Sequence, residues 1–131
     1  MTPIVADASA LVEFLLRTPR AEWVADLATA PDADLHVPAL CDVEVSAALR
    51  RAMQLHRLSI RRAEEALADY LDLPLTRHAH TPLLPRMLEL RENFSAYDAT
   101  YVALAELLGA SLLTADRALA RAAVRHVEVL T

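Results

Sequence analysis

With 131 residues, 55% of them hydrophobic, and a net charge of −5, the chain is long enough for one buried core, and residues 1–131 read as a single domain. No apolar run approaches the length of a membrane span. All 13 basic residues are arginine, which excludes lysine Schiff-base and P-loop chemistry; Gly109 is the only glycine, and Cys41 the only cysteine, which excludes glycine-rich phosphate cradles and a disulfide or cysteine-zinc framework.

PIVA at 3–6 suits a short buried strand, and ASALVEFLL after it a helix. The start MTPIVADASALVEFLL has no basic n-region and is interrupted by Asp7 and Glu13, so it reads as mature structure and the chain as cytoplasmic. Residues 19–30 predict a second helix, PDAD a turn, LHVP at 35–38 a second strand, and CDVEVSAALRRAMQLH a long helix. A further helix follows Ser59, a candidate N-cap. LPLTRHA at 73–79 contains a third strand, and TPLLPRMLELREN predicts a helix opened by Thr81 with Pro82 just inside. A helix over about 96–108, stopped at Gly109, precedes a strand at 111–113, a helix at 116–124 and a last strand in HVEVL. Strands alternating with helices imply an α/β fold, a mostly parallel sheet covered on both faces. Ligands of such sheets bind beyond the carboxyl ends of the strands.

Asp7 directly follows the first strand, and Asp116 follows SLLT, with Thr114 beside it. Asp98 opens a helix, and Glu44 sits in the first turns of the helix after LHVP. Each has a local explanation: Asp7, Ser9 and Asp116 suit helix N-caps, and the helix dipole favours Asp98. Capping does not explain why all four acids fall toward one rim. Converging carboxylates repel unless cations neutralise them. Oxygen-only ligation suits Mg²⁺ or Mn²⁺ rather than zinc. Such ions polarise a phosphoryl oxygen and deliver water for in-line attack on a phosphodiester.

IVADASALVEFLL, with D-x-S after the first strand, resembles the opening of PIN-domain ribonucleases, especially VapC-type toxins of toxin–antitoxin pairs. VPALCDVEVSAALRR resembles the family's second motif, with Glu44 as its acid. SAYDATYVALAELLGASLLTADRAL is similar to its third and fourth, with Asp98 and Asp116. The ordered set runs through almost the whole chain, although residues 55–92 add little to it. The resemblance implies a three-layer α/β/α PIN domain with about five mostly parallel strands. It further implies Mg²⁺-dependent endoribonuclease activity, with Mn²⁺ as the alternative ion, leaving a 5′-phosphate and a free 3′-hydroxyl. Asp7 and Asp98 are then direct ligands, Glu44 acts through water and Asp116 completes a second position. Ser9 and Thr114 orient carboxylates or waters. Implied partners are an RNA substrate, a VapB-like antitoxin and a second copy in a homodimer.

Asp42, two residues before Glu44, cannot share its helix face and is expected to meet the helix N-terminus. His78 and His80 are expected in an exposed loop or helix start, because no further cysteine or histidine lies nearby. Phe14, Trp23, Val24 and Leu27 read as core, or, by the resemblance, as part of an antitoxin-receiving face. Arg50, Arg51 and Arg117 suit either solvated surface or RNA phosphates. Two competing readings remain: a PIN-like RNA- or protein-binding module without catalysis, and a receiver-type phosphoacceptor domain. The second wants a lysine near a late strand end, and the chain has none.

Overall fold

Short apolar runs form the strands, and each feeds a helical stretch. In the computed structural model, which describes residues 2–131, β1 (Pro3–Ala6) leads to α1 (Ala8–Leu15) and α2 (Ala21–Ala28). β2 (Asp34–Pro38) leads to α3 (Leu40–Gln54) and α4 (Ile60–Asp72). β3 (Leu75–His78) is followed by a 3-10 turn (Thr81–Leu83), α5 (Leu84–Glu89) and α6 (Ala96–Leu108). β4 (Ser111–Leu113), α7 (Arg117–Ala123) and β5 (Val129–Leu130) complete the order.

The five strands form one sheet in the order β3-β2-β1-β4-β5, and every pairing is parallel. Chain direction across the sheet reverses once: β1 to β2 to β3 runs one way, and β4 then β5 lie on the other side of β1. Right-handed crossovers therefore place α1–α4 on one face and α5–α6 on the other. Helices α1, α2, α3 and α4 pack among themselves, while α6 lies against β1, β2 and β4. Residues Ala99 to Ala105 of α6 are buried on every side of the helix, because α5 covers the side turned away from the sheet.

Local chemistry explains most boundaries. Ser59 caps α4 by accepting from the Arg62 N–H at 3.1 Å. Gly109 ends α6 at φ 61°, a left-handed conformation that costs glycine nothing. Thr81 does not open an α-helix as the sequence predicts; it begins the 3-10 turn. Pro85 has no N–H to return to the Thr81 carbonyl, so the α ladder cannot run through that turn; Leu84 N–H takes the carbonyl instead.

Candidate active site at the strand ends

The single reversal of strand order lies between β1 and β4, and their carboxyl ends diverge there into α1 and α7. Register pairs Ala6 with Leu113, so the next residues out, Asp7 and Thr114, are neighbours. Both are buried. Asp7 Oδ1 accepts from Ser9 Oγ at 2.6 Å and from the Ala10 N–H at 3.1 Å. Its Oδ2 accepts from Thr114 Oγ1 at 2.8 Å. Each hydroxyl has one hydrogen, and both are spent on Asp7. The same oxygens then act as acceptors: Ser9 Oγ from Ala115 N–H at 3.0 Å, and Thr114 Oγ1 from Asp116 N–H at 3.0 Å. This network laces the two strand ends together and fixes the Asp7 carboxyl. Burial pushes that carboxyl up to about 6, against the opposing pull of the Ser9, Thr114 and Ala10 bonds.

The other acids arrive on three more elements. Asp116 caps α7, its Oδ1 accepting from Ala118 N–H at 2.9 Å and Leu119 N–H at 3.2 Å. Asp98 stands in the first turn of α6, whose cap is Ser95. The Asp98 carboxyl is held above its usual range by burial first, then by the negative charges of Asp116 and Glu44. Glu44, on α3, accepts from Tyr101 Oη at 2.5 Å. Asp7, Ser9, Glu44, Asp98 and Asp116 all line one cleft of about 400 Å³, joined by Glu13 and Tyr101. No arginine lines it. All four predicted acids are therefore brought together, and their local capping roles coexist with that convergence.

The donor set suits a hard divalent cation: oxygen ligands only, mutually repelling, with no cationic side chain among them. The Asp7 and Asp98 carboxyls are both held above their usual range, and a cation beside them would favour their ionised forms. Among the described residues, no three His, Cys, Asp or Glu side chains already enclose a metal-sized space. The acids thus surround an open cleft rather than forming a closed cage.

Two residues of this cleft carry no signal in the reading by motif. Glu13, one helical turn beyond Ser9 on α1, accepts from the Thr18 hydroxyl. Tyr101 lies three residues after Asp98 on the same side of α6, a spacing that offered the only clue. Asp42 stands in the first turn of α3, as expected. It accepts from Tyr70 Oη at 2.6 Å and from Arg77 Nε at 2.9 and 3.0 Å, because Arg77 on β3 supplies a full positive charge. His80 stands at a helix start, just before the 3-10 turn, as expected, whereas His78 ends β3. His78 is paired with Pro38 in the sheet, and its Nε2 is 2.9 Å from His36 Nδ1, while His36 Nε2 is 2.9 Å from Asp34. His80 Nε2 accepts the Leu40 N–H at 2.8 Å, satisfying a helix start for which Ala39 has no side-chain cap. Cys41 is buried, and burial pushes its thiol up to about 11, far from a thiolate nucleophile. Arg50, Arg51 and Arg117 are exposed. Trp23 and Phe14 pack at the edge of the core, with the Arg20 guanidinium 5.0 Å above the Trp23 ring.

The PIN-domain family profile matches residues 4–125. The chain is 44% identical over 113 residues to ribonuclease VapC9 of Mycobacterium tuberculosis, covering 86% of this chain and 85% of that protein. In three dimensions it resembles VapC20 of Mycobacterium tuberculosis, a toxin that cleaves the sarcin–ricin loop, with a TM-score of 0.71, 20% identity, and coverage of 98% and 99% of the two chains. VapBC2 of Rickettsia felis, solved on a DNA fragment from its own promoter, matches with a TM-score of 0.71, 12% identity, and coverage of 98% and 97%. Motif order, parallel topology and shared identity agree, and the chain belongs to the PIN-domain family, among its VapC ribonucleases.

Proposed function

We propose that the chain is a divalent-metal-dependent endoribonuclease and the toxin of a VapBC-type pair. The observation that carries this reading is one cleft at the switch point of a parallel sheet, lined by Asp7, Glu44, Asp98 and Asp116 without an arginine. Asp7, Asp98, Glu44 and Asp116 would hold Mg²⁺, with Mn²⁺ as the alternative. When bound, such an ion supplies Lewis acidity toward a phosphoryl oxygen and an activated water.

The protein's own part is placement. Asp7 is immobilised by Ser9, Ala10 and Thr114, so its remaining lone pairs keep one direction. Its carboxyl value of about 6 means that it is largely ionised at neutrality, and that a cation there competes with a proton in more acidic solution. Asp98 is raised by burial and by its acidic neighbours without hydrogen-bond support, which favours it as a direct ligand. Asp116 keeps Oδ1 on the α7 cap, lines the cleft, and has its second oxygen left for a cation.

The partner assignments rest on kinship with VapC proteins. A second concavity of about 500 Å³, lined by Phe14, Ala21, Ala25 and Leu73 together with Arg17 and Asp69, supports the reading that an antitoxin helix seats beside α1, α2 and α4. The homodimer is proposed on the same kinship, as is a one-domain toxin acting in the cytoplasm. No described helix is long and apolar enough to cross a membrane.

The test is cleavage of structured and single-stranded RNA by purified, partner-free protein, with and without Mg²⁺ or Mn²⁺. Metal-dependent cleavage should disappear in Asp98→Ala and Asp7→Ala; cleavage undiminished in both refutes the site. A small protein encoded beside the gene should bind and inhibit; if none does, the toxin assignment fails and the nuclease assignment is judged separately.

A further inference from the structure

Glu44 reaches the cleft from the side chain of an exposed-to-half-buried helix face, and a free glutamate there has three rotatable bonds to lose. We infer that Tyr101 is a positioning residue of the acidic cleft: its buried hydroxyl holds Glu44 Oε1 and turns Oε2 toward the cation position. The inference rests on the metal-dependent nuclease reading and assigns that site a component outside its four acids.

The geometry is specific. Tyr101 is 2% exposed, and its Oη donates to Glu44 Oε1 at 2.5 Å, a contact between residues 57 positions apart in sequence. A charge-assisted bond of this length is among the stronger side-chain hydrogen bonds. Tyr101 itself cannot swing away, because α6 is buried around it and its neighbours Thr100 and Val102 are also buried. Cys41, in the first turn of α3, is buried and has Tyr70 and Tyr101 among its neighbours. Tyr70 in turn donates to Asp42 at 2.6 Å. The two tyrosines thereby hold the two acids of α3 separately, Asp42 beside Arg77 and Glu44 at the cleft. Rigid support of a ligand by an outer partner is worth about 10–100-fold in metal affinity or activity.

The test is a double-mutant cycle on the full chain, using Mn²⁺ alone as the probe. Isothermal titration should show Tyr101→Phe weakening Mn²⁺ binding about tenfold, with little further loss when the change is made in a Glu44→Ala background. In RNA cleavage, kcat should fall about tenfold while KM for RNA stays within about twofold, since substrate contacts are untouched. Tyr101→Met, which fills the space differently and also lacks the hydroxyl, should behave alike and carries the cycle if Tyr101→Phe does not fold. Unchanged Mn²⁺ affinity, an equal penalty in the Glu44→Ala background, or a loss in only one of the two replacements overturns the inference. A wild-type protein that binds Mn²⁺ yet leaves RNA intact refutes the nuclease reading alone, and the Mn²⁺ cycle still decides for Tyr101.

Discussion

Replacing Asp7 by asparagine should make the cation-free protein more stable at neutral pH. The carboxyl value rises from 3.8 to about 6 on folding, chiefly through burial. An acid shifted upward binds more protons in the folded chain, so its favourable contribution is complete below the unfolded value and lost as pH rises through the folded one. The shift corresponds to roughly 3 kcal/mol against the ionised folded state at pH 7.5. Between pH 4.5 and 7.5 the change amounts to about 2 kcal/mol. Asparagine keeps an oxygen for Ser9 and Ala10 but turns an NH₂ toward Thr114 Oγ1, which must then give up its donor role. The gain is therefore smaller than the full figure. Urea unfolding in chelator, at steps across this range, should show Asp7→Asn exceeding wild type at pH 7.5 by about 1–3 kcal/mol, with the gap narrowing toward pH 4.5. Saturating Mg²⁺ should reverse the order, since only the wild type gains by ligation. A gap that does not change with pH, or a variant less stable than wild type at pH 7.5 in chelator, refutes the assignment of burial as the cause.

Asp116 separates capping from ligation. Asp116→Ala should cost about 1 kcal/mol of stability through the lost α7 cap, while Asp116→Asn keeps an acceptor for Ala118 and Leu119 and should unfold like wild type. Both should lower Mn²⁺-dependent cleavage about tenfold, measured in parallel with denaturant midpoints; an active Asp116→Asn protein removes Asp116 from the site. Gly109→Ala meets open space around the added methyl group, so only its positive φ opposes it, and thermal denaturation should show a loss of about 1 kcal/mol. Its cleavage rate should equal that of the wild type, because Gly109 lies at the opposite end of α6 from Asp98.

Periodicity and caps made the element order legible, since PIVA, LHVP and SLLT are too short and apolar to be much else and Ser59 and Gly109 mark real helix ends. The gathering of Asp7, Glu44, Asp98 and Asp116 followed from a sheet rule plus motif order, and the structure places them in one cleft. What sequence did not reveal depends on contacts between distant positions. Tyr101 reads as one more apolar residue of a buried helix until α3 is packed beside it. Arg77 meets the Asp42 carboxylate only because β3 lies next to β2. His80 satisfies the start of α3 by folding back 40 positions, which no local pattern encodes. Thr81 misled because Pro82 looked like a helix opener, whereas Pro85 removes the hydrogen bond such a helix would need.

The sheet order has a consequence for when the acidic cleft is completed during synthesis. Asp7 and Glu44 belong to the first part of the chain, but Asp98 and Asp116 come late, and β4 must slot beside β1 before Asp116 and Thr114 reach Asp7. A growing polypeptide that has made everything through α5 holds two of the four acids of the cleft. The four carboxylates of the cleft thus come together only in the closing steps of synthesis and folding, when β4 and α7 take their places.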